Sequence, residues 1–420
     1  MPGCVDWSEC GYLGQCLSGT CVCDHPWTGP ECQQLDLAPV PDAAGYRRTN
    51  TSSWGGSVVR ADNGRLYMYA SEMVGGCGIG SWTRNSRVVL ASADNATAPF
   101  RFERELFGVF SHEPVATRAP TGEFVVWFTT TRYGCGAFGP CVPAPFNASS
   151  DNPGGPTCWE GCHGGVTAPS CYDIDKDHRG RPSIRFPTFM AWARSPLGPY
   201  STPVMVYNGS DRAGTSPLAG ATGDTNMAPV IFGDGSLLGM WRGSRYPDPS
   251  QFQYAVTASH WRDTTSYRWG AATRAANVFP ALAQPTPTAG VHNCGLEDPS
   301  LWLDGHGIVH AVLHDWTAGG HAASADRGRT WRWFGGACSP TNRTAIDWRR
   351  SVWPQLTRFE SGRVVSPHRR ERPHVILGAD RRVEAISTAT QEVGPPNDRT
   401  WTMVQPVRAQ TRSRGRVLCP

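Results

Sequence analysis

No stretch of this 420-residue chain approaches the roughly 18 continuous apolar residues that a membrane-spanning helix needs, so no membrane insertion is expected. Charge is scarce too: 18% of the residues are charged and the formal net charge is only +4. Lys and Arg form no dense tract, and the nearest approach to one, His368-Arg369-Arg370-Glu371-Arg372, is broken by a carboxylate. Nucleic acid is therefore not an expected partner. A Ser-His-Asp spacing, a Gly-rich phosphate loop and a Cys-His dyad are all missing, which removes ester and phosphate hydrolysis from the candidate chemistries.

Cysteine, glycine and proline, by contrast, are plentiful. Six of the 15 cysteines fall within the first 32 residues, a density that argues for an oxidising compartment. Asn-x-Ser/Thr sequons at Asn50, Asn95, Asn147, Asn208 and Asn342 point the same way, toward a disulfide-bonded glycoprotein that is secreted or displayed on the cell surface. Met1-Pro2-Gly3-Cys4 opens directly on cysteine-rich sequence with no signal peptide in front, which reads as a mature form or an incomplete gene model. With 47 Gly, 35 Pro and 39% hydrophobic residues, the chain suits many short strands around a large core.

One phrase occurs five times: a short polar motif, an apolar strand, a turn built on Asp-Gly or its equivalent, and a second strand. The copies open at Trp54-Gly55-Gly56-Ser57, His112-Glu113-Pro114, Thr225-Asn226-Met227-Ala228-Pro229, Gly295-Leu296-Glu297-Asp298-Pro299 and Arg370-Glu371-Arg372-Pro373. The turns follow at Asp62-Asn63-Gly64, Pro120-Thr121-Gly122, Gly233-Asp234-Gly235, Asp304-Gly305-His306-Gly307 and Gly378-Ala379-Asp380. Such turns between β-rich runs predict hairpins. A repeat of roughly 60 to 75 residues, worth about four strands, reads as one blade of a β-propeller. The expected fold is all-β, a five-bladed propeller, and its inner strands bring the five polar motifs to one axial pocket.

In front of the propeller, Cys4, Cys10, Cys16, Cys21, Cys23 and Cys32, with Cys21-Val22-Cys23 leading to Thr28-Gly29-Pro30-Glu31-Cys32, resemble an EGF-like module. The resemblance implies bridges 4–16, 10–21 and 23–32. Acidic residues before the first cysteine, which calcium-binding modules carry, are absent, so no calcium is expected there. The staples serve folding in so small a unit, and docking of a protein partner is the functional alternative. The organisation read from the chain is an EGF-like module over 1–34, a linker over 35–46, and a propeller over 47–410 with a Cys-rich insertion near 133–175. That insertion carries Cys135, Cys141, Cys158, Cys162 and Cys171 and is expected as a disulfide-tied surface loop. Asp173-Ile174-Asp175-Lys176-Asp177 imitates the start of a calcium loop, but His178 stands where Gly is wanted. Nine cysteines lie outside the module, so one is left over, and Cys419 is the candidate.

The outer strands repeat as well, in Val88-Val89-Leu90-Ala91-Ser92-Ala93-Asp94 and Met190-Ala191-Trp192-Ala193-Arg194-Ser195. Ser324-Ala325-Asp326-Arg327-Gly328-Arg329-Thr330-Trp331 fits the Asp-box hairpin of sialidases and related propellers, a turn motif remote from their catalytic centres. From about 45 to 410 the chain resembles the five-bladed propellers of glycoside hydrolase family 43 and its relatives in families 32, 62 and 68. That resemblance implies an Asp from the first blade as base or nucleophile, a later Asp as orienter, and a Glu in a Glu-x-Pro motif as acid. Glu297 matches the acid. The first-blade motif has no carboxylate before Asp62, and Asn226 replaces the later Asp, with Asp224 two residues upstream.

Two readings follow. In the first the protein is a glycosidase with Glu297 as general acid and Glu113 or Asp224 as the second carboxylate, because one carboxyl must give a proton while another activates water or attacks. On a regular strand Asp298 points away from Glu297 and serves as a hydrogen-bonder at a blade junction. In the second the pocket binds a glycan without cutting it, through Trp54, His112, Asn226, His314 and Arg372, with Trp54 stacking on a sugar face and Glu297 as a ligand contact or a partner of Arg372. Arg372 can equally neutralise Glu371 or another buried acid. His310 and His314 share a strand face, and neither a metal nor a cofactor is expected.

Overall fold

The computed structural model describes residues 3–109, 111–130, 141, 187–207, 226–245, 248–269, 278–279, 296–315, 318–335 and 348–410, with short strands at 175–176, 182–183 and 221–222. Each repeat is one antiparallel sheet. Blade 1 comprises Ser52–Arg60, Leu66–Met73, Ser86–Ala93 and Arg101–Phe107, and blade 2 Ser111–Arg118, Phe124–Thr130, Thr188–Ala193 and Val204–Tyr207. Blade 3 is built on Ala228–Ile231, Leu237–Arg245, Asp248–Ala258 and Arg268–Trp269, and blade 4 on Glu297–Leu303, Val309–Asp315, Ala318–Ser324 and Arg332–Trp333. Blade 5 has three strands, Arg369–Leu377, Val383–Gln391 and Trp401–Pro406.

The first hairpin of every blade turns where Asp-Gly chemistry predicts it. Blade 1 turns through Gly64 at φ +83°, and blade 5, whose turn has no trailing glycine, puts Arg381 at φ +63° instead. Inner strands of successive blades touch in the order 1, 2, 3, 4, 5 and back to 1, closing a ring around one axis. Second strands lie between two neighbouring blades, so Leu66–Met73 and Phe124–Thr130 are buried at every position. Strands covered on both faces read as unbroken apolar runs, not as alternating ones.

The segment read as a linker also closes the ring. Tyr46 pairs with Thr402 and Leu37 with Val407, which lays the incoming chain along the last strand of blade 5. Tyr46 donates its hydroxyl hydrogen to the buried Glu72 carboxylate of blade 1 at 2.6 Å, and Arg48 reaches the same group at 3.0 Å. The Asp box closes its turn as its family pattern implies, with Thr330 N–H donating to Asp326 at 2.9 Å and Gly328 N–H to Ser324 Oγ at 2.8 Å.

The N-terminal module is EGF-like, with bridges Cys4–Cys16, Cys10–Cys21 and Cys23–Cys32. It is docked on the propeller. Trp27, 7% exposed, stacks parallel to Trp302 of blade 4 at 6.1 Å and shares a core with Val352, Trp353, Val375 and Ile386. Cys77–Cys141 ties the beginning of the insertion to blade 1. The other insertion cysteines, most of the Asp173–Asp177 stretch, and Cys419 lie outside the described residues.

Candidate functional site

Near its start, the inner segment of each blade contains one residue with left-handed backbone: Gly55 (φ +70°), Glu113 (+54°), Asn226 (+25°), Asp298 (+51°) and Arg372 (+50°). In blades 1, 2, 4 and 5 the ladder slips there, as at a β-bulge. Three of these residues precede proline, which ordinarily holds its predecessor extended, so the conformation costs on the order of 1–3 kcal/mol at each non-glycine position. The bulge re-aims the side chain and brings groups from separate blades to the axis.

Those groups interlock. Arg372 Nη1 lies 2.8 Å from Glu113 Oε1 and 3.4 Å from Asp298 Oδ1. Asp298 also accepts from the Asn226 amide and is 2.8 Å from His314 Nε2. His112 Nε2 is 3.6 Å from Glu113, while its Nδ1 meets Ser86 Oγ at 2.6 Å. Glu113, Asn226, Asp298, His314 and Arg372 are all buried. Burial alone would push the Asp298 carboxyl up, but Arg372, His314 and Arg242 outweigh it and hold the group well below the carboxylate range. Burial and the Arg372 charge keep the His112 imidazole neutral.

Gly55 explains why Arg372 can lie here. A Cβ on Gly55 would stand 2.7 Å from Arg372 Nε and 3.0 Å from its Cβ. The guanidinium arm fills the space that a first-blade side chain would occupy. Where the resemblance calls for a carboxylate, this chain has a cation delivered from blade 5.

At the edge of the buried cluster the side chains are partly open. Glu297 is 27% exposed and ion-paired with Arg242 of blade 3. Glu371 is half-buried, and burial raises its carboxyl pKa against the opposing pull of His314, Arg369 and Arg242. The half-buried Trp82 ring stacks on His112 with centroids 4.8 Å apart. Glu297, Asp298 and His314 hold donor atoms within 4.8 Å of one another. Yet Arg242 already neutralises Glu297 and Arg372 neutralises Asp298, so the set suits an ion-pair lattice better than a metal.

The structure thus gathers Glu113, His112, Asn226, His314 and Arg372 about Asp298, with Glu297 at the margin; Asp224 lies outside the described residues. Three expectations change. Trp54 is 4% exposed and packs with Met73, Cys77 and Ala389, so it has no free face for a sugar. Asp298 does not point away from Glu297, because the strand is bulged where regularity was assumed. Glu297 pairs with Arg242, and Arg372 takes Glu113 and Asp298 in its place. Arg242 and Trp82 carry no motif that marks them, and Glu371 was legible only as a neighbour of Arg372.

The Teneurin-like EGF domain family matches residues 8–35. No curated protein matches the chain by sequence. Among solved structures, a family 117 glycoside hydrolase from Zobellia galactanivorans is 10% identical over 89% of each chain, with a TM-score of 0.47. A thermostable family-43 glycoside hydrolase is 12% identical, covering 90% of this chain and 97% of its own, at 0.46. An alpha-L-arabinofuranosidase from Lactobacillus brevis is 10% identical, over 88% and 92%, at 0.47. At such scores the fold rests on this chain's own sheets, and the chemistry on its own residues.

Proposed function

We propose that this protein is a secreted, glycan-binding β-propeller whose axial pocket holds a sugar without hydrolysing it. The observation that carries the reading is Arg372, seated over Gly55 and bonded to both Glu113 and Asp298. Glycoside hydrolysis needs one protonated carboxyl and one ionised carboxylate open to water or to the anomeric carbon. Here Asp298 is held ionised and buried, Glu113 is buried beneath a guanidinium, and Glu297 is paired with Arg242. Each is paired with a cation. The same margin suits binding: Glu297, 27% exposed, accepts from sugar hydroxyls, and Arg242 beside it donates to them.

The hydrolytic alternative keeps one specific support, the carboxyl of Glu371, which burial biases toward its protonated form beside the axial cluster. In that reading Glu371 or Glu297 gives the proton, and Glu113 or Asp224 is the counterpart. The test is a glycan array together with a hydrolysis screen on arabinosyl, xylosyl, galactosyl and fructosyl substrates, with wild type, Glu297→Gln and Glu371→Gln side by side. Binding without turnover in all three is expected. Turnover that disappears in either variant would replace the binding reading with the enzymatic one.

A further inference from the structure

A cleft of about 440 Å³ opens where the chain enters blade 1 and where the last strand of blade 5 begins, lined by Arg47, Arg48, Thr49, Glu392, Arg399 and Trp401 among others. Three arginines and one carboxylate line it, and Arg48 is also bonded to the buried Glu72 behind it. Glu392 is itself claimed by Arg363 at 2.6 Å, by Arg47 at 3.4 Å and by the Trp401 indole N–H at 3.2 Å. Arg47 Cζ sits over the Trp401 ring, 3.8 Å from its centroid, with the side chain 53% exposed. A second cleft of about 590 Å³, lined in part by His368 and Arg370, shares Glu392 and Val393 as its wall.

We propose that this cleft is a second binding site, for the sulfate ester or carboxylate of an acidic glycan. The chemistry is that of planar guanidinium forks around one anionic group, with the Trp401 ring fixing Arg47 in place. Excess positive charge at a concave surface draws such a group even though the chain's net charge is only +4. The adjoining cleft gives a saccharide somewhere to continue, which a free ion does not need. The anion site stands on its own residues; that a glycan carries the anion rests on the preceding reading of the axial pocket.

Titration calorimetry of the full chain separates the possibilities, using a sulfated tetrasaccharide, a uronate tetrasaccharide, a neutral tetrasaccharide and inorganic sulfate. Either acidic oligosaccharide is expected to bind, more weakly as salt is raised, and whichever binds more tightly identifies the anion as ester or carboxylate. Arg47→Gln/Arg399→Gln should weaken that binding about tenfold or more, since each lost charge-assisted hydrogen bond is worth about 1.5–3 kcal/mol. Arg363 remains on Glu392 in this variant, and Arg399→Ala alone, at an exposed side chain, provides a milder check should the double variant not fold. Equal affinity for the neutral tetrasaccharide, equal affinity for inorganic sulfate, or no change in the variants would overturn the proposal. Arg47→Gln/Arg399→Gln should leave neutral-glycan binding on the array unchanged, so failure of the axial reading registers there and not in the acidic-oligosaccharide titration.

Discussion

Arg372 is the side chain on which the axial cluster depends, because one guanidinium serves carboxylates from two other blades. Arg372→Ala removes the cation between the buried Glu113 and Asp298 carboxylates, and breaking a buried pair in this way costs about 3–5 kcal/mol. A urea unfolding midpoint should record that loss, and adding Glu113→Gln and Asp298→Asn should recover part of it. An unchanged midpoint would mean that the ion pairs contribute nothing. Gly55→Ala is the complementary change. It forces a Cβ against Arg372 and places an alanine at φ +70°, which by itself costs about 1–2 kcal/mol. Thermal unfolding should therefore fall for Gly55→Ala but not for Ala at the exposed Gln355.

Among the strands and turns, the hairpins were legible because their signal is local: Asp, Asn and Gly fix turn geometry within four residues. The bulges of the inner strands were not, since nothing in Glu297-Asp298-Pro299 announces that Asp298 leaves the pleat. The N-terminal module is a similar case. Its resemblance to EGF-like modules implied the three bridges, but its seat on blades 4 and 5 came from Trp27 meeting Trp302, a contact between distant parts of the chain. Trp27→Ala should cost about 3–5 kcal/mol, as truncation of a buried indole does, and calorimetry should show it as a lowered transition of the whole chain. If the propeller transition stays fixed while only the module loosens, the docking carries no stability.

Across the molecule the buried histidines set the response to acid. His112, His310, His321 and His374 are held neutral chiefly by burial, and His374 is pushed down to about 3. A base whose folded pKa lies below its unfolded value gives its full stability above about 6.5 and loses it as pH falls toward the folded value. For His374 that window runs from 6.5 to about 3, at about 1.4 kcal/mol per pH unit. Asp298, whose folded pKa is depressed, adds a further loss below about 4. Urea midpoints should thus decline steadily from pH 7 to pH 4, and His374→Gln should flatten the decline. A level midpoint over that range would contradict the neutral, buried state of these rings.

The amino-acid order was enough to specify the hairpins, because each depends on residues within a few positions of one another, such as a Gly that accepts left-handed backbone; the blades were read from the repeat of these hairpins, and the staples from the resemblance to EGF-like modules. It also indicated that polar motifs would converge, since a propeller has one axis. Which charges meet there, and whether they neutralise one another, depended on groups 72 and 74 residues apart, Asn226 and Arg372 on Asp298, and on a space left empty at Gly55. Coulomb energy and steric exclusion act over distance in space, and only the closed ring sets those distances. Thus Glu113 and Glu297, which read along the chain as a pair of catalytic acids, are each held by an arginine from another blade.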